Sequence, residues 1–283
     1  MKVALCCIGK NENRYIREYV DHYRTIGVDK IFLFDNNDPE GERFEEIVQS
    51  DIDSGFVEIT DYRGEKVCQL RAYQECYDKH GGEYDWIMFV DCGDEYWRSD
   101  VYQDVKEFLS QKMFDSFDMI HVNLQTFGDC GQLRYENKPL KERFPNALPN
   151  NVCIAFKDKG IPENFHVSSI IRGGRVVYWM STPHTPYPSM HLSCCNSIGM
   201  EVSPSSPLSV YEKYANIFAY ARFDHYTFKS VEEYALKIKR GFPDQSTSYE
   251  KLKCLVEDRF FRGNERTEEK EKLFKEILLD DGE

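Results

Sequence analysis

The chain has 283 residues, a length that fits one large domain or two smaller ones. Hydrophobic residues make up 41% and aromatic residues 14%, which is enough to bury a substantial core. The formal net charge of −13 argues against a nucleic-acid-binding surface.

The first 95 residues alternate between predicted strands and predicted helices. Strands are predicted at 2–8, 30–34, 55–59 and 86–90, and helices at 13–26, 44–49 and 67–80. Asn13 is placed to cap the first helix, and Gly27 is placed to end it. This alternation predicts an α/β fold with a mostly parallel sheet flanked by helices.

The rest of the chain is less regular. The predicted elements are a helix at 101–109, a strand at 119–124, a hairpin at 170–178, a strand at 218–223, and amphipathic helices at 230–240, 249–260 and 267–279. Prolines and glycines are frequent between residues 132 and 207. Ser230 and Glu233 have the spacing of a capping box.

The ten cysteines do not form a metal-binding pattern, because C-x-x-C does not occur. We therefore expect reduced thiols and a cytoplasmic location. The apolar stretch at the amino terminus ends at Gly9 and is too short for a signal peptide. Since no stretch approaches the roughly 20 apolar residues of a spanning helix, we expect at most contact with the inner face of the cell membrane.

Each of the four early strands ends in polar residues. The carboxyl ends of parallel strands meet at one edge of a sheet, which is where open α/β sheets bind their ligands. The segment after the fourth strand, Asp91-Cys-Gly-Asp94-Glu95, carries three carboxylates. Clustered carboxylates suit hard divalent cations such as Mg²⁺ or Mn²⁺. A charged surface loop explains the same segment.

Two nucleotide-binding motifs are absent from the sequence. The pattern G-x-G-x-x-G does not follow the first strand, and G-x-x-x-x-G-K-[ST] does not occur. This argues against an NAD-binding Rossmann unit and against a P-loop NTPase.

Several separated segments form a pattern together. They are Asn11-Glu12, Asp35-Asn36-Asn37, the helix start near Gln69, Phe89 to Tyr96, Phe127 to Gly131, Ser169 to Arg172, Pro183-His184 and His225 to Tyr234. In this order they resemble bacterial glycosyltransferases of the family 2 type with the GT-A fold. The most similar branch serves capsular polysaccharide and lipopolysaccharide biosynthesis and is related to family 92.

The resemblance implies a division of the chain. A Rossmann-like GT-A catalytic domain would span 1–241, with a nucleotide-sugar-binding half at 1–125 and an acceptor-binding, site-closing half at 126–229. Residues 242–283 would form a helical C-terminal extension.

The resemblance also implies a metal-dependent reaction. Mn²⁺ or Mg²⁺ would neutralise the leaving nucleoside diphosphate of a UDP-sugar. The motif has one residue more than D-x-D. The commoner form in the similar family ends in Asp-Glu-aromatic, which aligns with Asp94-Glu95-Tyr96. The resemblance therefore implies Asp94 as the first metal ligand and Asp91 as a ligand of the metal or a contact of the donor ribose. His225 resembles a late metal-binding histidine, although a core histidine at a strand end has the same sequence pattern.

Further residues are assigned by the same resemblance. Contacts with the nucleotide-sugar are expected from Glu12, Asp35, Asn37, Arg63, Gln69, Arg71, Asp91, Arg172, His184 and Lys229. Arg71 alternatively pairs on a helix face.

The expected reaction moves a hexose, with galactose as first choice, to a lipid-linked saccharide with inversion. A carboxylate must then take the acceptor proton, and the candidates are Asp129 and Glu163. Trp97, Trp179 and Tyr187 are candidates to stack on a sugar, but large aromatics more often pack in a core.

Three alternatives stay open. A non-catalytic nucleotide-sugar-binding homologue fits the altered spacing of Asp91 and Asp94 and predicts donor binding without turnover. A sugar nucleotidyltransferase needs a glycine-rich loop after the first strand, which Cys7 to Asn11 does not supply. A metal-dependent phosphoesterase is disfavoured because no histidine-rich cluster is present in the sequence.

Overall fold

The computed structural model describes residues 1–155, 157–179, 182–186, 192–208, 217–241 and 256–279. The strands are β1 (Val3–Gly9), β2 (Lys30–Asp35), β3 (Val57–Asp61), β4 (Trp86–Phe89), β5 (Glu95–Arg98), β6 (Met119–Thr126), β7 (Val167–Arg172), β8 (Cys194–Asn196) and β9 (Arg222–His225). The helices are α1 (Asn13–Thr25), α2 (Glu45–Asp53), α3 (Gln69–His80), α4 (Val105–Leu109), α5 (Leu140–Arg143), α6 (Ile217–Tyr220), α7 (Val231–Arg240) and α8 (Glu268–Leu279).

The strands form a mixed sheet in the order β3-β2-β1-β4-β7-β6-β9-β5, and β8 also pairs with β6. β1 is parallel to β2 and to β4, and β2 is parallel to β3. β7 runs antiparallel to β4 and to β6. The α/β class expected from the sequence is confirmed, and the carboxyl ends of β1 to β4 share one edge.

The chain folds as two compact units. The first unit comprises Met1–Leu124 and Phe165–Phe223, and the second unit comprises Gln125–Asn164 and Asp224–Glu283. The chain therefore enters each unit twice. The division expected from the sequence after residue 241 does not coincide with the boundary between these units.

The core of the first unit follows from the predicted periodicities. All seven residues of β1 are buried, as a strand covered on both faces requires. α1 buries one face, formed by Tyr15, Ile16, Tyr19, Val20 and Tyr23. Burial of each such large apolar side chain stabilises the fold by about 1.5–3 kcal/mol.

The second unit has its own aromatic core. The ring centroid of Phe260 lies 5.1 Å from that of Tyr234 and 4.9 Å from that of Phe274. The capping box predicted for α7 is confirmed, because Ser230 and Glu233 make both of its hydrogen bonds. Glu233 also forms a buried, bidentate ion pair with Arg143 at the end of α5.

Four sequence-based predictions differ from the structure. The helix predicted from residue 101 begins only at Val105, because the Asp104 side chain accepts a hydrogen bond from the Glu107 N–H at 2.7 Å. Asn13 is the first residue of α1 rather than its cap. The strand predicted at 218–223 is replaced by α6 followed by β9, and β5 was not predicted. Most of the helix predicted at 249–260 lies outside the described residues.

The hairpin predicted at 170–178 is wrong. The chain leaves β7 through Gly173 and Gly174 and then packs against α3 instead of pairing back. Gln74 donates a hydrogen bond to the Val177 carbonyl at 3.1 Å and accepts one from the Trp179 N–H at 2.9 Å. Among the described residues, no helix combines the length and the apolarity needed to cross a bilayer.

Candidate functional site

Four acidic residues follow β1 and β4 in the first unit. Glu12, Asp94 and Glu95 are 2%, 4% and 0% exposed, and Asp91 is partly buried. Gly93 allows the two segments to approach, since a Cβ atom at this residue would lie 2.6 Å from Oε2 of Glu12. The topology thus brings together the acidic residues that the sequence places at separate strand ends.

Asp91 and Glu95 form the centre of this group. Carboxylate oxygens of the two residues lie within 4.8 Å of each other. Oε2 of Glu95 accepts hydrogen bonds from the Asp91 N–H at 3.2 Å and from the Ser168 hydroxyl at 2.8 Å. Oε1 of Glu95 is buried and has no hydrogen-bond partner in the described part of the chain.

The electrostatics of Glu95 follow from this placement. Burial, and then the charges of Asp91 and Asp94, raise the pKa of Glu95 well above its usual range. A buried carboxylate next to a second carboxylate is stabilised by taking up a proton or by a bound cation. The arrangement is therefore suited to hold a divalent cation.

Gln69 supports Asp91 from the start of α3. Its amide nitrogen donates to Oδ1 of Asp91 at 3.1 Å and lies 3.1 Å from the Tyr73 hydroxyl. The Tyr73 hydroxyl in turn donates to the Val90 carbonyl at 3.3 Å. The sequence assigned Gln69 to the nucleotide-sugar, and the structure shows it orienting one oxygen of Asp91.

A second polar network lies at the ends of β1, β2 and β3. Oδ1 of Asp35 accepts from the Asn37 N–H at 2.9 Å, and Oδ1 of Asn37 accepts from the Asn11 N–H at 2.7 Å. Arg63 donates from Nε to Oδ2 of Asp35 at 2.7 Å and also pairs with Glu45 at 3.2 Å. Asp35, Asn37 and Arg63 are thus brought together as expected, but the charge of Arg63 is committed to two carboxylates.

Two arginines assigned to the donor lie elsewhere. Arg71 is exposed, pairs with Glu65 at 2.9 Å and stacks over the Tyr62 ring, and both partners precede α3, so this is not a pair within the helix face. Arg172 pairs opposite Trp86 and donates to backbone carbonyls at 2.9 Å. Trp86 is at the start of β4, about 16 Å along the strand direction from Asp91, so this placement argues against a donor contact for Arg172.

His184 lies near the carboxyl end of β4. Its carbonyl accepts a hydrogen bond from the Ser169 hydroxyl at 2.6 Å, and Ser169 is in register with Phe89. The ring centroid of His184 is 6.2 Å from that of His166. The structure therefore keeps His184 among the residues at this edge of the first unit.

The two candidate bases belong to the second unit. Asp129 forms a buried ion pair with Lys270 at 2.6 Å, and its N–H donates to Oδ1 of Asn264 at 2.6 Å. Glu163 accepts from the Ala155 N–H at 2.9 Å. Both carboxylates hold loops of their own unit in place, and a catalytic role for either stays a prediction.

His225 and Lys229 also belong to the second unit. The His225 carbonyl accepts a hydrogen bond from the Phe127 N–H at 3.0 Å. Lys229 is 4% exposed and has a φ of 53°, an unfavourable backbone conformation of a kind often found at functional sites. Their assignment to metal and donor stays a prediction.

The aromatic candidates for sugar stacking pack inside the first unit. Trp97 is 1% exposed and contacts Phe108, with ring centroids 5.8 Å apart. Trp179 lies 4.8 Å from Phe89 and 5.3 Å from Tyr73 between ring centroids. Trp97 and Trp179 therefore pack in the core, which is the alternative that the sequence left open. Tyr187 lies outside the described residues.

Ser168 was not identified from the sequence. It is 2% exposed and is the second residue of the buried strand β7. A hydroxyl at such a position needs a hydrogen-bond partner, and this requirement is the one signal that the sequence offered. The partner, Glu95, is 73 residues away in the chain, so that the pairing itself was not predictable.

The chain resembles two plant proteins in sequence, although no family model matches it. A glycosyltransferase family 92 protein of Oryza sativa subsp. japonica is 26% identical over 148 residues, covering 48% of this chain and 23% of that protein. A family 92 protein of Ricinus communis is 21% identical over 132 residues, covering 46% and 23%. The chain spans about a quarter of the length of these curated relatives.

The solved structures that match part of the chain include the following three. They are a mannosyltransferase of Pyrobaculum calidifontis in complex with GDP-Man and Mn²⁺ (10% identity, 44% of this chain and 36% of that chain, TM-score 0.34), TarS of S. aureus (13%, 61% and 47%, 0.37) and mannosyl-3-phosphoglycerate synthase of Rubrobacter xylanophilus (11%, 61% and 53%, 0.35). These TM-scores are too low to carry an argument about function.

Proposed function

We propose that this chain is a metal-dependent glycosyltransferase that takes a hexose from a UDP-sugar. The observation that carries the proposal is the pair formed by the partly buried Asp91 and the buried Glu95, whose carboxylate oxygens lie within 4.8 Å of each other at the carboxyl edge of the sheet. The similarity of nearly half of the chain to two proteins named as family 92 glycosyltransferases supports the same reaction class.

The residues at this edge fit a hard divalent cation, Mn²⁺ or Mg²⁺. The charged atoms available as metal ligands are all carboxylate oxygens, which such ions prefer. The buried Oε1 of Glu95 has no hydrogen-bond partner among the described residues. A bound cation supplies positive charge that stabilises a leaving diphosphate. The Asp91–Glu95 segment would hold the ion, with Asp94 as the ligand that the sequence pattern favours, and Gln69 would keep Asp91 oriented.

The network of Asp35, Asn37 and Arg63 is suited to the nucleoside part of the donor. Asp35 is 1% exposed, and its two oxygens are fixed by the Asn37 N–H and by Arg63. A fixed carboxylate binds hydroxyl and N–H groups without first losing conformational freedom. Glu12, whose carboxylate lies close to Gly93, extends this surface toward the metal site.

The finer assignment follows the resemblance of the sequence. We take UDP-galactose as the donor and a lipid-linked saccharide of surface-polysaccharide synthesis as the acceptor, with inversion at the transferred carbon. Such an acceptor would bring the protein to the inner face of the cell membrane.

Donor hydrolysis tests the proposal directly. A panel of UDP- and GDP-sugars is incubated with and without Mn²⁺, using the wild type, Asp91→Asn and, as a matched control, Asp53→Asn at the exposed end of α2. We expect release of UDP from one donor, loss of release on chelation, and a loss of about 100-fold or more in Asp91→Asn only.

Two other outcomes have distinct meanings. Nucleotide-sugar binding without turnover, with any acceptor offered, would favour the non-catalytic homologue. If no nucleotide raises the melting temperature in the presence of Mn²⁺, the proposal is wrong.

A further inference from the structure

Glu95 has no role in the D-x-D pattern, yet it is the most deeply buried acid of the site. We propose that Glu95, rather than Asp94, is the second carboxylate ligand of the divalent cation beside Asp91, and that Ser168 is the residue that positions it. This inference rests on the proposed function and assigns the residues of its metal site.

The extra residue in the motif explains the change of ligand. The N–H groups of Asp94 and Glu95 both point to the Asp91 carbonyl, at 3.5 and 3.3 Å, so the segment closes into a turn. Gly93 permits this turn with a φ of 71°. The chain returns upon itself, and the fifth residue of the segment, not the fourth, comes to lie beside the first.

The carboxylates of the segment therefore differ in their geometry. Oxygens of Asp91 and Glu95 lie within 4.8 Å of each other, which is close enough to share one ion. Among the described residues, Asp94 does not join this pair within the same distance. One ion thus has direct access to Asp91 and Glu95 together.

The two oxygens of Glu95 are not equivalent. Oε2 receives two hydrogen bonds, from the Asp91 N–H and from the Ser168 hydroxyl. Oε1 is equally buried but receives none within the described ranges. A buried acceptor without a donor is unfavourable, and a cation at Oε1 removes that penalty without disturbing Oε2.

Ser168 fixes the direction in which Oε1 points. Its hydroxyl is 2.8 Å from Oε2 and it lies on β7, which is held between β4 and β6. Because the donor lies on a strand that is paired on both sides, this hydrogen bond restricts rotation of the Glu95 carboxylate. Groups that orient a metal ligand in this way typically change metal affinity 10–100-fold when removed.

Mn²⁺ binding separates the two assignments. The signal of free Mn²⁺ in electron paramagnetic resonance gives its Kd, with and without saturating UDP, for the wild type, Glu95→Gln, Asp94→Asn, Ser168→Ala and Ser168→Thr. We expect Kd to rise at least 30-fold in Glu95→Gln, about 10-fold in Ser168→Ala, and less than about 3-fold in Asp94→Asn. Ser168→Thr restores the hydroxyl and is expected to restore the affinity.

Urea unfolding of each variant verifies that a lost affinity is not a lost fold. If Glu95→Gln does not fold, Glu95→Asp replaces it, because the shortened side chain keeps its charge but moves the carboxylate away from the position that Glu95 occupies. A large loss in Asp94→Asn with an unchanged Glu95→Gln would overturn the inference and leave the proposed function standing. A wild type that binds neither Mn²⁺ nor UDP would overturn both.

Discussion

Gly93 is required at its position for two independent reasons. Its φ of 71° lies in the left-handed region, where an L-residue is strained. In addition, a Cβ atom would lie 2.6 Å from Oε2 of Glu12 and 3.3 Å from Cβ of Tyr15. The turn that carries Asp91 thus approaches α1 as closely as a residue without a side chain allows.

The effect of the positive φ and the effect of the close contact can be separated by comparing the stability of a Gly93 variant with that of a variant at a second glycine. Gly174 has a similar φ of 70°, but a Cβ atom there would meet no atom within 4 Å. We expect Gly174→Ala to lower the free energy of unfolding by about 1–2 kcal/mol and Gly93→Ala to lower it by about 2–5 kcal/mol, since overpacking is added. Urea unfolding measures both, and equal losses would show that the contact with Glu12 is unimportant.

At the level of single elements, helical periodicity within one segment predicts a helix well, whereas helix starts and short strands are predicted less well. α1 and α7 were predicted from periodicity and from the Ser230 cap, because all the interactions that define them lie within the segment. β5 was missed and the strand at 218–223 was misplaced, since a short strand is defined by its partners. The same limit applies to the site: topology predicted the acidic edge, but the pairing of Ser168 with Glu95 depends on the tertiary fold.

α8 is tied to the rest of the second unit by a buried ion pair. Asp129 and Lys270 are 2.6 Å apart, and their side chains are only 6% and 4% exposed. Lys270 also donates to the Glu265 carbonyl at 2.8 Å. Such a pair contributes little compared with apolar residues, but loss of one partner leaves a buried charge without compensation.

Substitution at Asp129 therefore has a stability effect that must be separated from any catalytic effect. We expect Asp129→Asn to lower the free energy of unfolding by about 3–5 kcal/mol and the double variant Asp129→Asn with Lys270→Met to recover most of it. Urea unfolding and UDP release with acceptor are measured on both. Recovery of stability without recovery of turnover would identify Asp129 as the base, whereas recovery of both would assign it a structural role only.

For the molecule as a whole, the buried His121 and the partly buried His22 link stability to pH. Burial lowers the pKa of His121 to about 3, and neither ring nitrogen has a hydrogen-bond partner among the described residues. Burial and the charge of Arg98 lower the pKa of His22 to about 3, although a hydrogen bond with the Trp97 carbonyl acts in the opposite direction and raises it. Both imidazoles therefore stay neutral in the folded state under conditions in which an exposed histidine is protonated.

The sign of the pH dependence follows from this difference. Below the pKa of about 6.5 of an exposed histidine, the unfolded chain binds protons at these two residues and the folded chain does not. The contribution of the two histidines to stability is therefore fully present above pH 6.5 and is lost as the pH falls toward 3. Between pH 7 and pH 5 each histidine is expected to remove about 2 kcal/mol from the free energy of unfolding. In His121→Gln, urea unfolding at the two pH values should therefore show a loss smaller than that of the wild type by about 2 kcal/mol. Carboxylates titrate alike in both proteins and cancel in this comparison, so an identical loss in the variant would mean that His121 accepts a proton in the folded state.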